Sequence, residues 1–227
     1  MSGLMYTLFL TFCAITFGFF IGILLALGRV YGNNILAKIC ILYIEVIRGT
    51  PLLVQLFIIY FGLPYIGSIF GIPSFRIILS PIEAALVGLT INSSAYQAEY
   101  LRGAVQSVQA GQMTAARSLG MSKWQAISYV ILPQALRISV PSWSNEFIYL
   151  LQYSSIVYII QVKELTAEGL FIAAHNFRYL EVFTMIAIIY LILTVISTEL
   201  IDRIAKKINI PGVGTASIHP RKKFDFS

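Results

Sequence analysis

Residues 4–27 read LMYTLFLTFCAITFGFFIGILLAL, and this stretch decides the class of the protein. It holds no charged side chain, and the next charge along the chain is Arg29. As a helix at 1.5 Å per residue it extends about 36 Å, which exceeds the roughly 30 Å of hydrocarbon in a bilayer. No basic residue precedes the run, and it is too long for a signal peptide. We therefore predict a transmembrane helix, in which Gly18 and Gly22 are interpreted as ordinary packing positions rather than a close helix contact.

The composition extends this prediction to most of the chain. Hydrophobic residues make up 58% of its 227 residues and charged residues only 11%, and the mean hydropathy is +0.81. A soluble domain needs far more charge to cover its surface, so we predict an all-α integral membrane protein. Cys13 and Cys40 lie in apolar runs without nearby Cys or His partners. They are interpreted as packing thiols, not as a disulfide or a metal site.

Four further apolar segments bring the prediction to about five transmembrane helices. These segments are residues 35–66, 81–101, 140–160 and 179–201. Within the second, Arg48-Gly49-Thr50-Pro51 predicts a break or kink because proline lacks an amide donor.

The segments between the spans are predicted from their polarity and their Gly and Pro content. Residues 67–80 are predicted to form a loop, 161–178 a polar loop, and 102–137 a polar stretch without a span. We expect one transmembrane domain at residues 1–210 and a polar cytoplasmic tail at 211–227.

Basic residues are distributed unevenly between the two ends of these segments. Of the 16 Lys and Arg residues, 12 fall on the side of the 102–137 stretch, whereas Arg76, Lys163 and Arg178 fall on the other and Arg48 lies within a segment. Basic residues concentrate on the cytoplasmic side of membrane proteins. The bias predicts a cytoplasmic C-terminus and an N-terminus outside the cell membrane.

The polar stretch between the third and fourth segments is long for a connection in a compact bundle, and such loops usually have a function. Residues 111–137 read GQMTAARSLGMSKWQAISYVILPQALR. Residues 112–119 suit a short helix that stops at Gly120, and Ser122 is placed to cap a second helix that ends before Pro133. This unit suits docking in another protein's groove or lying on the lipid surface, and composition alone does not separate the two.

The same loop resembles the EAA motif of the membrane subunits of ABC importers. That motif is Glu-Ala-Ala, three residues, Gly, nine residues and Ile-x-Leu-Pro, and here Thr114-Ala115-Ala116, Gly120 and Val130-Ile131-Leu132-Pro133 stand at the same spacing. Thr114 replaces the usual glutamate. In that family the loop, here about residues 103–137, seats in a groove of the ATPase. The resemblance assigns this coupling role to Thr114, Ala115, Ala116, Ser118, Leu119, Gly120 and Met121.

Further motifs resemble the polar amino-acid uptake permeases of the histidine/glutamine/arginine type. They are YIEVIRGTPLLVQ at 43–55, INSSAYQAE at 91–99, SLGMS at 118–122 and NEFI at 145–148. The resemblance covers roughly residues 4–208 and implies the type I ABC importer permease fold. It also implies four kinds of partner: an ATP-binding cassette ATPase subunit that binds ATP and magnesium, a second permease copy or a paralogue, an extracytoplasmic solute-binding protein, and a polar amino acid.

The chain departs from these permeases after NEFI. Relatives carry a lysine and then an acid where this chain has Gln152 and Tyr153. We therefore hypothesise an uncharged or zwitterionic amino acid as substrate rather than arginine or lysine. The alternative is that Glu45 or Glu146 supplies the missing negative charge from another position.

Polar residues inside the predicted helices need partners, because unpaired polar groups are costly in hydrocarbon. Glu45 and Arg48, like Glu99 and Arg102, are three residues apart, and both pairs are interpreted as structural ion pairs. A neutral set at intermediate depth is the candidate substrate-binding site, since amides and hydroxyls hold an amino acid without trapping it. Ordinary hydrogen bonding between helices is the alternative for each member. The set is Gln55, Asn92, Ser93, Tyr96, Gln152, Ser154 and Ser155.

The main competing function is a membrane-embedded enzyme or an anchor subunit without a transport role. An intramembrane enzyme would predict clusters of His, Asp and Glu, and the sequence offers neither these nor a catalytic nucleophile with its base. The chain also lacks the Gly-x-x-x-x-Gly-Lys-Ser/Thr pattern of ATP-binding loops. We therefore expect a non-catalytic subunit with no cofactor, no metal ion and no nucleic-acid partner.

Overall fold

The computed structural model describes residues 3–72, 77–108 and 110–208, and helices make up nearly all of this part of the chain. The predicted tail at 211–227 lies outside the described residues. The ten α-helices of the described ranges are α1 (Gly3–Tyr31), α2 (Asn34–Arg48), α3 (Leu52–Phe57), α4 (Ile66–Ile69), α5 (Pro81–Ser107), α6 (Ala110–Ser118), α7 (Lys123–Ala126), α8 (Leu132–Tyr153), α9 (Leu165–Asn176) and α10 (Tyr179–Ile208). Two π-helical turns, Ile58–Gly62 and Ile127–Ile131, and two 3₁₀ segments, Leu63–Tyr65 and Ser154–Ile160, connect some of them.

The prediction of an all-helical membrane protein is confirmed. α1, α2 with α3, α5, α8 and α10 correspond to the five predicted segments. Two of the described helices are long and apolar enough to cross a membrane on their own: α1, and α10 over residues Tyr179–Ile201. The bent pair Asn34–Arg48 and Leu52–Tyr65 is long and apolar enough when its two parts are taken together. α5 and α8 are long but less apolar because they carry buried polar groups, which form the networks of the candidate site.

α1 and α5 run parallel and form the largest helix contact of the described chain. A Cβ atom built on Gly18 would lie 2.9 Å from Gln97 Nε2, and one built on Gly22 would lie 3.1 Å from Gln97 Cβ and 3.2 Å from Ala98 N. The interpretation of these glycines as ordinary packing positions is therefore wrong. They allow two backbones to approach closely, because glycine has no side chain to keep them apart.

The predicted break in the second segment is confirmed. Asn33 caps α2 by accepting a hydrogen bond from Leu36 N, and the helix ends at Arg48. The chain then turns by 103° before it continues from Leu52. The segment is thus two helices joined at Gly49-Thr50-Pro51 and not one continuous helix over residues 35–66.

Two predicted boundaries differ from the structure. Ser122 caps α7 as expected, with a reciprocal bond from Ser122 N to Gln125, but the helix does not end before Pro133. The π-helical turn Ile127–Ile131 shifts the hydrogen-bond register, so that Pro133 falls in the first turn of α8, where its missing donor costs little. The fourth segment consequently begins at Leu132 and not near residue 140.

The predicted polar loop at 161–178 is mostly helix α9. Glu164 initiates it by accepting hydrogen bonds from Thr166 N and Ala167 N, both at 2.8 Å. Phe177, with φ of 56°, ends it in the left-handed conformation. Sequence analysis missed this helix because its few polar residues obscured the apolar pattern of its other positions.

Apolar side chains fill the interior and also cover much of the exterior. The main core includes Leu10, Leu56, Leu89, Leu150 and Val157, whereas only 6% of the apolar window of α10 is buried. Soluble proteins rarely expose so much contiguous apolar surface. The exterior is therefore suited to lipid or to a neighbouring membrane subunit.

The close packing of α1 on α5 predicts that Gly22→Leu destabilises the protein. The added side chain has no space against Gln97 and Ala98, and overpacking of this kind costs about 1–3 kcal/mol. Gly103→Leu is the matched control, because a Cβ atom there meets nothing within 4 Å. Thermal unfolding of the detergent-purified variants checks this prediction, and equal midpoints would contradict it.

Candidate functional site

A buried polar network joins α1, α5 and α8 near the middle of the bundle. Gln97 Nε2 donates to Ile15 O at 3.1 Å and to Ser93 Oγ at 3.0 Å, and Gln97 Oε1 accepts from Trp143 Nε1 at 2.8 Å. Ser93 Oγ in turn donates to Glu146 Oε1 at 2.8 Å. Gln97 and Ser93 are at most 1% exposed. The network therefore holds the carboxylate of Glu146, a residue of α8, in a fixed place against α5.

A second network holds the break between α2 and α3. Gln55 Nε2 donates to Ile47 O at 2.7 Å and to Thr50 O at 3.0 Å, and Asn92 Nδ2 donates to Gln55 Oε1 at 3.1 Å. These bonds satisfy carbonyl oxygens at the end of α2, whose helical partners are lost at Pro51. Gln55 and Asn92 thus connect the break to α5.

The remaining members of the predicted substrate set lie in two places. Ser154 Oγ donates to Leu151 O and Ser155 Oγ to Gln152 O, both at 2.7 Å, so these hydroxyls bond to their own chain. Ser154 is fully buried. Tyr96 is half-buried and Gln152 is exposed. The structure therefore brings Gln55 next to Asn92 and Ser93 next to Glu146, and leaves Tyr96 and Gln152 reachable from the surface.

One of the two predicted ion pairs forms. Glu99 Oε1 accepts from Arg102 Nε at 2.9 Å, and Glu99 Oε2 accepts from Arg29 Nη1 at 2.7 Å, which ties α5 to α1. The prediction that Glu45 pairs with Arg48 is wrong. Glu45 Oε1 lies 4.0 Å from Arg29 Nη1 instead. Arg48 is the last residue of α2, so its side chain is free to leave the shared helix face.

Arg48 joins four tyrosines in what we call the tyrosine face: Tyr96, Tyr100, Tyr149, Tyr153 and Arg48. The guanidinium of Arg48 lies 5.3 Å from the centre of the Tyr96 ring. The rings of Tyr149 and Tyr153 stack at 6.4 Å, and these two residues are 51% and 41% exposed. Tyr100 is half-buried and follows Tyr96 by four residues, so the two share a face of α5. A charged and aromatic surface within membrane-spanning segments is a poor match for lipid.

Sequence analysis missed several residues of this region. Gln97 and Trp143 were not selected, and Glu146 was considered only as an alternative source of charge. Gln97 follows Ser93 by four residues, so the shared helix face was a usable signal. The contacts of Gln97 and Ser93 with α8 depend on how the helices pack, and the sequence carries no local signal for that packing.

The predicted coupling loop presents an exposed helix end. α6 ends at Ser118, and the turn after it contains Gly120, whose φ is +85°. Met121 N donates back to Ala116 O at 3.2 Å, which confirms the predicted glycine stop. Ala116 is buried, whereas Leu119 is 82% exposed. Thr114, Ala115 and Ser118 are exposed and Met121 is half-buried. An apolar side chain left this open on a short helix suits a docking contact.

A protein-family model matches residues 18–210 of the chain, and it describes the binding-protein-dependent transport system inner membrane component. This chain belongs to that family. It is 39% identical over 209 residues to the glutamine transport system permease protein GlnP of Escherichia coli (strain K12), covering 92% of both chains. It is 38% identical over 210 residues to the probable amino-acid permease protein YxeN of Bacillus subtilis (strain 168), covering 92% of this chain and 91% of that one.

Two solved structures agree with the architecture. An amino acid ABC transporter crystallised with histidines matches at a TM-score of 0.79 and 41% identity, over 90% of this chain and 92% of that chain. The inward-facing MetNI methionine ABC transporter matches at 0.73 and 23% identity, over 90% and 94%, which shows the fold alone.

These comparisons confirm that the chain is the membrane-embedded, non-catalytic translocation subunit of an ABC importer. ATP hydrolysis belongs to a separate subunit, and the family works with an ATPase and a substrate-binding protein. They do not favour the alternative of a membrane enzyme or anchor. Among the described residues, no three His, Cys, Asp or Glu side chains are close enough to hold a metal ion.

Proposed function

We propose that this chain forms part of the translocation pathway for a polar amino acid, and that the tyrosine face lines it. The single observation that carries this proposal is Arg48, an exposed charge at the end of the apolar helix α2 that packs on Tyr96. Charged residues within membrane-spanning segments face water-filled cavities or other subunits rather than lipid. The glutamine and amino-acid permeases among the relatives support the substrate class.

The pathway needs a second wall, because one chain presents only one such face. A second copy of this chain or a paralogue supplies it. Residues 1–210 form the transmembrane domain, and the coupling loop at about 103–137 meets the ATPase subunit, which binds ATP and magnesium. The contacts are Thr114, Ala115, Ala116, Ser118, Leu119, Gly120 and Met121. A solute-binding protein delivers the amino acid from the other side.

The candidate substrate contacts divide into two groups under this proposal. Tyr96 and Gln152 are open to the surface and touch the amino acid directly. The buried members keep the wall in shape through their hydrogen bonds to the backbone and to one another. They are Gln55, Asn92, Ser93 and Ser154, and the half-buried Ser155 acts in the same way. Because Gln152 and Tyr153 carry no charge, the wall suits an uncharged or zwitterionic amino acid such as glutamine better than arginine or lysine.

The N-terminus lies outside and the C-terminus in the cytoplasm. Lys123 Nζ donates to Tyr31 O at 2.8 Å, so the coupling loop and the end of α1 lie at the same end of the bundle. That end also carries Arg29, Arg102 and Arg117. Basic residues of this kind are retained on the cytoplasmic side.

A labelling experiment checks this orientation. After Cys13 and Cys40 are replaced by serine, single cysteines are introduced by Asn176→Cys and Ser118→Cys in cells that express the permease alone. An impermeant thiol reagent added outside is expected to label the first variant and to label the second only after the membrane is opened. The reversed pattern would contradict the orientation.

Reconstitution with the ATPase and the binding protein tests the proposed function. Liposomes holding the complex are expected to accumulate labelled glutamine or another polar amino acid only when ATP is supplied. Gly120→Val is expected to leave the complex inserted but to abolish both uptake and substrate-stimulated ATP hydrolysis, because a β-branched side chain does not tolerate the φ of +85°.

Two controls separate coupling from general damage. Gly120→Asn retains most of the stimulation, because asparagine tolerates the left-handed conformation. Gly111→Ala adds a methyl group where nothing lies within 4 Å and is expected to leave the stimulation unchanged. Normal stimulation in the valine variant would count against the docking role of the loop, and absence of uptake of every amino acid by the native complex would count against the proposed function.

A further inference from the structure

The coupling loop is joined by the chain itself to only two of the long helices. It follows α5, and it leads through α7 and the π-helical turn Ile127–Ile131 into α8. α1 and α2 come much earlier in the sequence. A movement of the loop therefore acts on them directly only through non-covalent contacts, and these contacts decide how much of the bundle follows the ATPase.

One hydrogen bond connects the loop to the end of α1. Lys123 is the first residue of α7, and its Nζ donates at 2.8 Å to the carbonyl oxygen of Tyr31, the last residue of α1. In the described part of the chain, no other hydrogen bond joins residues 110–131 to α1 or α2. The last four carbonyl groups of a helix have no partner within it, and a lysine ammonium group bonds to them favourably because that end of the helix dipole is negative.

Aromatic and apolar contacts surround this bond. Lys123 Nζ lies 5.7 Å from the centre of the Tyr31 ring and 6.0 Å from that of Trp124, which is the range of cation–π attraction. The Tyr31 side chain also packs, as does Met113 of α6, against a small buried cluster. Its members are Ala104, Val105, Val108, Ile131 and Ala135. The end of α1 is thus attached to the loop region by one polar contact and one apolar contact.

The end of α1 is also where α2 begins. Asn33 follows the turn and caps α2. α2 then packs on α5, where Tyr43 Oη lies 2.8 Å from Ser94 Oγ, and it carries Arg48 at its far end. A displacement applied at Tyr31 therefore acts on the turn that α1 and α2 share, and α2 leads from this turn to the tyrosine face.

We propose that Lys123 is a positioning residue that ties the coupling loop to the turn between α1 and α2. Through this tether a movement of the ATPase displaces α1 and α2 together with α5 and α8, so that the bundle responds as one body. The proposal rests on the proposed docking of the loop on the ATPase. It adds the contact by which the loop reaches the two helices that do not adjoin it in the chain.

Lys123→Met tests the tether in liposomes that hold the complete complex, with the binding protein and ATP supplied. Methionine keeps an unbranched apolar stem and lacks the ammonium group. The number of amino acids imported per ATP hydrolysed is expected to fall about threefold or more, the size of effect that loss of one hydrogen bond produces, while the ATPase stays attached. Lys123→Arg is expected to restore most of the ratio, because a guanidinium also donates to a carbonyl. Lys38→Met makes the same change at an exposed lysine of α2 and is expected to leave the ratio unchanged.

A second variant shows whether the effect passes through Tyr31. Tyr31→Leu removes the ring but keeps the backbone carbonyl and an apolar side chain, so it is expected to lower the ratio less than Lys123→Met does. In the double variant, Tyr31→Leu is expected to add no loss to that of Lys123→Met, because residues that act through one contact are not additive. Full additivity of the two losses would contradict the tether.

Three further outcomes would overturn the proposal. They are an unchanged ratio in Lys123→Met, a loss in Lys123→Arg as large as in Lys123→Met, and release of the ATPase from Lys123→Met, which would make Lys123 a contact of the ATPase instead. Gly120→Val tests the docking of the loop separately. If that variant loses stimulation while Lys123→Met imports normally, the tether fails and the proposed function stands.

Discussion

A polar side chain inside hydrocarbon must find its partner within the protein, and this requirement fixes the interior of the bundle. Gln97 meets it by bonding to Ile15 O on α1, Ser93 on α5 and Trp143 on α8 at once. A buried group left unpaired costs about 1–3 kcal/mol, so sliding any of these helices along its axis is opposed by several such costs. The amide reaches α1 because Gly18 and Gly22 let the backbones come close.

The same requirement shapes the wall proposed for the pathway. Pro51 ends α2, and Gln55 satisfies the carbonyls of Ile47 and Thr50 that this leaves open. The resulting turn of 103° leaves Arg48 at a helix end, where its side chain is free to lie on Tyr96. On the other side, Ser93 holds Glu146. Interior hydrogen bonds thus determine where Glu146 is held inside the bundle and where Arg48 reaches the surface.

Features set by local chemistry could be predicted from the sequence, whereas features set by packing could not. The apolar run at 4–27, the break at Pro51 and the stop at Gly120 each depend on a few adjacent residues, and all three are confirmed. The pairing of Glu45 with Arg48 failed because the spacing of residues on a helix does not say where that helix ends. The continuation of α7 into α8 was missed because a π-helical turn has no sequence signal that separates it from a proline stop. The roles of Ser93 and Gln55 required knowledge of the facing helices.

Water access to the tyrosine face tests the central claim most directly. In a chain with Cys13 and Cys40 replaced by serine, Tyr153→Cys and Leu191→Cys each place one cysteine at an exposed position, on the tyrosine face and on the apolar side of α10. The complex in liposomes is then treated with a hydrophilic thiol reagent. The account predicts rapid reaction at position 153, slowed by saturating glutamine, and little reaction at position 191. Equal reaction at both positions, or none at 153, would contradict it.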